Sequence, residues 1–525
     1  MTMPATTFPL CYQIDPRILL GEAAGVRAPT LDDLPDALLE GAAARGFDWL
    51  WPLGVWQTGE AGLLAARAPE LLEGYRRDLP DLRDDDIHSS PFAITAYQVH
   101  RDFGGDPALG RLRERMARRG QRLLLDFVPN HVALDHPWIE THPEYFIAGS
   151  EDDLRREPQN YAAVTTSRGR EILAHGRDPN FPGWRDTLQL NYRHAGLREA
   201  MLGELERVAD RCDGVRCDMA MLLEPDVIGR VWGERARPRD GTPPVEQPFW
   251  PAATARVRQR HPRFLFVAEV YWGLEWRLQQ AGFDFTYDKS LYDRLRAGIA
   301  GPVRDHLAAD PAFRDRSLRF LENHDELRAA TAFPPDRHRA AAVLAFLAPG
   351  ARLFHEGQLE GRRAHASIQL ARRSAEAPDQ ALRAFYERLL GCLRRPEVRG
   401  EGARWRLLDC RPAGSGHPAD PTEPTEPADP ADPADPNWET FIVSTWEAPT
   451  GKLVVAVNFG PAPARCNAPF EPSEPEGGRP ADRTLSLNDL LSEARTQRDE
   501  ATLAREGLTL ELPAWGAQIF EVKAV

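Results

Sequence analysis

The stretch GVRCDMAMLL, residues 214–223, decides the fold. It follows LERVADRCD, which reads as the end of an amphipathic helix, so GVRCD is expected as a short buried strand. Arg216 and Asp218 stand two residues apart and therefore on one face of that strand. A buried strand aims a guanidinium and a carboxylate the same way for one of two reasons. Either they form a structural ion pair, or the carboxylate is catalytic and its neighbour keeps it ionised. The flanking chain separates these readings.

Working outward, short apolar runs alternate with helical patterns from Pro9 to about Gly361. LCYQID reads as a first strand, FDWLWPLGV as a second and RLLLDFV as a third. DGVRCD is the fourth, FLFVAE the fifth, FDFTYD the sixth, LRFLENHD the seventh and ARLFHEG the eighth. LDDLPDALLEGAAARG and DPALGRLRERMARRG read as intervening helices, the second with Asp106 as its N-cap. Strand–helix alternation with buried strands predicts a parallel sheet, and eight such strands predict a closed (β/α)8 barrel of the TIM type. The expected barrel covers residues 1–131 and 197–400. It is interrupted at 132–196 by a small insert domain rich in Pro, Trp, Tyr and Asp. Residues 401–525 read as a C-terminal antiparallel β-sandwich domain, from WRLLDC, TFIVSTWE, KLVVAVNFG, LTLELP and AQIFEV. Its Ala-Asp-Pro repeats at about 411–437 are expected as an extended, mobile acidic loop.

A barrel enzyme carries its chemistry at the C-terminal ends of the strands. Here strand three runs into Asp126 and then Asn130-His131, strand four into Arg216 and Asp218, strand five into Glu269, and strand seven into Glu322-Asn323-His324-Asp325. Purely structural ion pairs have no reason to collect at one end of four strands. Two carboxyl groups on adjacent strands suit glycoside hydrolysis, with one as nucleophile and the other as acid/base, about 5 Å apart for a retaining enzyme. Asp218 and Glu269 meet that description. Arg216 is expected to lower the pKa of Asp218, and partial desolvation beside Tyr271 and Trp272 to raise that of Glu269.

The ordered set DFVPNH, GVRCDMAML, the Glu269 of FVAEV, and ENHD resembles the four signature regions of the α-amylase family of glycoside hydrolases. The resemblance implies Asp218 as nucleophile, Glu269 as general acid/base and Asp325 as the third carboxylate, which grips sugar hydroxyls. It also implies Arg216 as the residue orienting the nucleophile, and His131 and His324 as hydrogen-bond partners of the cleaved sugar. Phe92 stands where the family usually places a tyrosine under that sugar, and Asp126 is implied to be structural. No metal is expected. Asn130 would be a ligand only if calcium is bound, because Met221 and Leu222 replace the Lys-His pair of typical endo-amylases and QLN at Gln189–Asn191 lacks the usual acidic residue. Trp51, Trp56, Trp138, Trp184, Trp272 and Trp276 are candidate sugar-stacking platforms, with core packing the alternative for each.

The expected function is retaining hydrolysis of α-1,4-linked glucans or maltooligosaccharides by double displacement. The alternatives are a 4-α-glucanotransferase-like transglycosidase and an enzyme for a small α-glucoside such as sucrose or trehalose. A non-catalytic relative would lack one of the three carboxylates, and all three are present. The 525 residues carry a net charge of −14 and no sustained basic block, so no nucleic-acid partner is expected. There is no leader pattern and no apolar run long enough to span a bilayer, so no membrane partner is expected either. Six scattered cysteines without a CxxC pair read as free thiols of a cytoplasmic protein. The partner expected is an oligosaccharide substrate, and the oligomeric state is open.

Overall fold

In the computed structural model, which describes residues 8–22, 28–413, 436–471 and 483–525, eight parallel strands close into a barrel. They are β1 (Leu10–Ile14), β2 (Trp49–Pro52), β3 (Arg122–Phe127), β4 (Gly214–Cys217), β5 (Leu265–Ala268), β6 (Phe285–Tyr287), β7 (Ser317–Arg319) and β8 (Ala351–His355). Each pairs with its sequence neighbours, and β1 closes the ring by pairing with both β2 and β8. The strands are almost wholly buried because helices cover the outside and side chains fill the inside.

Alternation along the strands sorts side chains between these surroundings. Cys11, Trp49, Trp51, Leu124, Leu265 and Val267 point into the barrel. Arg216 shares that parity on β4, and its Cα faces that of Asp126 across the β3–β4 pairing. Gly214 starts β4 because the layer beside it is full. A Cβ there would stand 2.7 Å from the Cβ of Leu265 and 3.2 Å from Leu124 Cδ1. Buried Arg352 on β8 instead serves carbonyls, donating to Phe8, Phe346 and Ala348.

Two helix readings change. Pro35 divides LDDLPDALLEGAAARG into a 3-10 turn at Leu31–Asp33 and a helix at Asp36–Ala44, since proline offers no N–H to continue the first turn. Asp106 is not the N-cap of the next helix, which starts one residue earlier at Gly105–Ala117. Its carboxylate instead accepts from Val99 N–H and pairs with Arg211.

The insert is small and hydrogen-bonded onto the barrel. His131–Ala133 pairs antiparallel with Thr187–Gln189, and a hairpin joins Tyr161–Thr166 to Gly169–Ala174. The C-terminal domain is a six-stranded antiparallel sheet with a three-stranded sheet beside it. Phe441, Val443, Val454 and Ala456 face the smaller sheet, while Ile442, Trp446, Leu453, Val455 and Val457 join the barrel's core. Leu453–Val457 is thus continuously apolar because both faces of the strand are covered. Ala464–Ala468, Thr484–Asp489 and Arg495–Asp499 are strands that sequence reading did not find; the last is exposed throughout and carries no apolar pattern. Residues 414–435 of the Ala-Asp-Pro region lie outside the described residues.

Candidate active site

A cavity of about 470 Å³ opens at the C-terminal end of the barrel. Its lining includes Phe92, His131, Asp218, Glu269, His324 and Asp325, and buried Arg216 lies behind this wall, bonded to Asp218 and Glu269. The structure therefore gathers every expected site residue into one place.

Arg216 is 1% exposed and binds both carboxylates of the expected pair. Its Nη1 donates to Asp218 Oδ1 at 3.0 Å and its Nη2 to Glu269 Oε2 at 2.8 Å. Its Nε reaches the Tyr287 hydroxyl at 3.2 Å, and Asp126 Oδ1 lies 3.5 Å from Nη1. The rings of Trp51, Phe92 and Tyr287 surround the guanidinium at 5.3–5.7 Å, a cation–π cage that fixes its plane. Asp126 itself accepts from Trp51 Nε1 and Gly54 N–H, and its backbone carbonyl from Trp56 Nε1, which ties β2 to β3 beneath the mouth.

The two catalytic candidates differ in how they are held. Asp218 has Oδ1 on Arg216, while Oδ2 is buried without a hydrogen-bond partner, 4.0 Å from His131 Nε2. Glu269 has both oxygens engaged. Oε2 accepts from Arg216 and from Met219 N–H at 2.8 Å, and Oε1 accepts from the Tyr271 hydroxyl at 2.8 Å. That N–H is delivered by a left-handed backbone at Met219, φ 41°, an arrangement that strains a residue with a Cβ.

The expected lowering of the Asp218 pKa is corrected. Burial, and then the Glu269 carboxylate, push it well above the usual aspartate value, and Arg216 only offsets part of this. Burial comes first, and the offset is weak because one guanidinium serves three carboxylates. Glu269, expected to be partly desolvated beside Tyr271 and Trp272, is buried and also ringed by donors. Burial holds His131 down to about 3, and burial plus Arg216 holds His324 well below its ordinary value, so both imidazoles are neutral. Gln13 on β1 donates to His324 Nδ1 at 2.8 Å, which leaves His324 Nε2 as the protonated nitrogen, 3.2 Å from Asp325 Oδ2. Asp325 is the exposed member of the trio, its side chain 45% accessible. Phe92 stacks on His324 with centroids 5.4 Å apart.

Of the six tryptophans, only Trp184 lines the cavity, its ring 5.0 Å from that of His131. Trp51 and Trp56 are core residues, Trp138 packs on Tyr145 inside the insert, and Trp272 and Trp276 are exposed elsewhere. The residues around Asn130 do not suit calcium. Its amide is spent on Gln189 at both ends, and among the described residues no group of three or more His, Cys, Asp or Glu side chains is arranged to hold a metal. Sequence reasoning missed Gln13 and Tyr287, which are single residues inside buried strands with no motif around them. It also missed Asp178, Asp186, Ile368 and Gln369, which sit on loops with no periodicity to place them.

The family model for the alpha-amylase catalytic domain matches residues 92–283, the segment that carries Phe92, His131, Arg216, Asp218 and Glu269. Over that segment the chain is similar to the α-amylase family. Over 300 residues it is 26% identical to the alpha-amylase MalA of Haloarcula japonica and, over another 300-residue match, 25% identical to an alpha-1,4-glucan:maltose-1-phosphate maltosyltransferase of Pseudomonas aeruginosa. Each match covers 54% of this chain but only 38% and 36% of the respective relative. The fold is that of a maltogenic alpha-amylase from Thermotoga neapolitana, with a TM-score of 0.66, 16% identity and 99% of both chains covered. It is also that of MutB, solved with isomaltulose, with a TM-score of 0.63, 16% identity and both chains covered in full.

Proposed function

We propose that this chain is an α-amylase-family enzyme that cleaves α-1,4-linked glucans or maltooligosaccharides with retention, through a β-glucosyl-enzyme intermediate. One observation carries the reading: Asp218 and Glu269 grip the two ends of a single guanidinium at the mouth of adjacent strands. Sharing one guanidinium favours the close pairing of about 5 Å used for retention over the roughly 6.5–9.5 Å that admits a water. Asp218 Oδ2, free of hydrogen bonds, attacks the anomeric carbon while Oδ1 stays on Arg216. Glu269 gives its proton to the departing glycosidic oxygen. The resulting ester is then attacked by a hydroxyl whose proton returns to Glu269. Asp325 and the neutral His131 and His324 hold the ring, and Phe92 lies under it.

Water and a sugar hydroxyl compete for the same intermediate, so transglycosylation is the second reading, favoured by the maltosyltransferases among the relatives. The cavity's size suits a short sugar. No metal enters this scheme, since the donors around Asn130 do not fit one. Unpaired thiols fit a reducing, cytoplasmic setting, and among the described residues no helix is long and apolar enough to cross a membrane.

The test is a product profile on pure maltoheptaose, with Glu269→Gln as control. Shorter sugars with rising reducing ends are expected. Products longer than the substrate at constant reducing ends would instead identify a glucanotransferase. No turnover by the unmodified protein would reject α-glucans and direct assays to sucrose, trehalose and glucosyl phosphates.

A further inference from the structure

The wall of the cavity supplied by the insert carries two carboxylates that the reaction does not use. Asp178 is occupied: its Oδ1 accepts from the N–H groups of Asn180 and Phe181 and shapes the loop. Asp186 is held only by its own backbone N–H, which offsets part of the upward push that burial gives its carboxyl. It is half-buried in the lining, and among the described residues no Lys, Arg or His pairs with it. It stands two residues after Trp184, the only one of the six candidate tryptophans that reaches the cavity. The Tyr75 hydroxyl, which feels its charge, is itself buried without a hydrogen-bond partner. Together with Asp218, Glu269 and Asp325, five carboxyl groups line the cavity and no Lys or Arg does. The one guanidinium below is spent on Asp218 and Glu269.

We propose that Asp186 is a specificity-determining residue that accepts a hydroxyl of a neutral sugar bound against Trp184 and, by its charge, turns away glycosyl phosphates. The assignment rests on the α-glucan reading. It separates this chain from a donor preference for maltose 1-phosphate, because an anionic donor would meet like charge with no cation to receive it.

The test compares maltose with maltose 1-phosphate as ligands of the unmodified protein, Asp186→Asn and Asp186→Glu. Binding is read by calorimetric titration and by competition against turnover of a chromogenic maltotrioside. Asp186→Asn is expected to raise KM for the neutral substrate several-fold with kcat within about twofold. It is also expected to shift the affinity ratio toward maltose 1-phosphate by about tenfold, the range of a removed like-charge contact. Asp186→Glu restores the charge and is expected to keep the original ratio. A misfolded or loosened variant would weaken both ligands together, so a ratio unchanged in Asp186→Asn overturns the assignment while leaving the α-glucan reading standing. Unmodified protein that binds neither maltose nor the maltotrioside overturns that reading, and this assignment with it.

Discussion

Asp218 is tied at one oxygen and open at the other, which is the state a nucleophile needs. Replacing it by Gly is expected to reduce turnover by about 10⁴-fold or more. Added azide, attacking from the side the carboxylate leaves empty, is then expected to restore cleavage and yield a β-glucosyl azide; an α product, or no rescue, would count against the role. The raised pKa of Asp218 sets a pH signature. The nucleophile works ionised, so activity is lost as pH falls through a value above the ordinary 3.8. His131 and His324, already neutral, add nothing to that limb. A kcat/KM profile whose acid limb lies at or below 3.8 would contradict this. In Glu269→Gln, assayed with a substrate whose leaving group needs no acid, the limb is expected to stay in place, because Glu269 works protonated and burial is the first cause of the raised Asp218 value. The identities of the catalytic candidates were legible in the sequence because motif order and strand parity place them. Their electrostatics were not: how many carboxylates share Arg216 depends on Asp126 and Glu269 arriving from strands on either side, which no local pattern states.

At the scale of elements, the barrel was readable because buried parallel strands are short apolar runs, and helix Ala195–Ala209 because Leu197, Met201, Leu205 and Val208 recur on one face. The exposed strand Arg495–Asp499 was not, since its formation depends on its pairing with Thr484–Asp489. One junction invites measurement. Asp288 follows β6, caps the helix Lys289–Ala297 and pairs with Arg319 on β7 and with His306. Burial alone would raise its pKa; Arg319 and then His306 outweigh it and hold it down to about 2. A depressed carboxylate stabilises the fold above its unfolded value near 3.8 and loses that contribution as pH falls toward 2. The contribution is on the order of 2 kcal/mol. Asp288→Asn leaves Arg319 buried without its carboxylate and is expected to destabilise by about 3 kcal/mol at pH 7. Chemical denaturation should show that gap narrowing below pH 4, and a pH-independent gap would refute the assignment.

For the whole molecule, the C-terminal sheet behaves as a lid on the core and not as an appendage. Trp446 is fully buried, meets Phe8 edge-on at 5.7 Å, and donates its indole N–H to the Leu347 carbonyl at 2.7 Å. Trp446→Ala is expected to lower stability by about 3–5 kcal/mol. Calorimetry should still show one transition, with activity lost in step. Two separated transitions would show that barrel and sheet unfold independently. Closure of the barrel has a further consequence, for synthesis. Cys11 sits between Trp49 and Leu353, so the first strand made waits for the last, about 340 residues later. At about 5–20 residues per second that wait is roughly 20–70 s. Throughout it, the open edge of β1 is offered to any other strand in reach. Gln13, which orients His324, sits on that same edge, so a ribosome must finish β8 before the ring around the site can close.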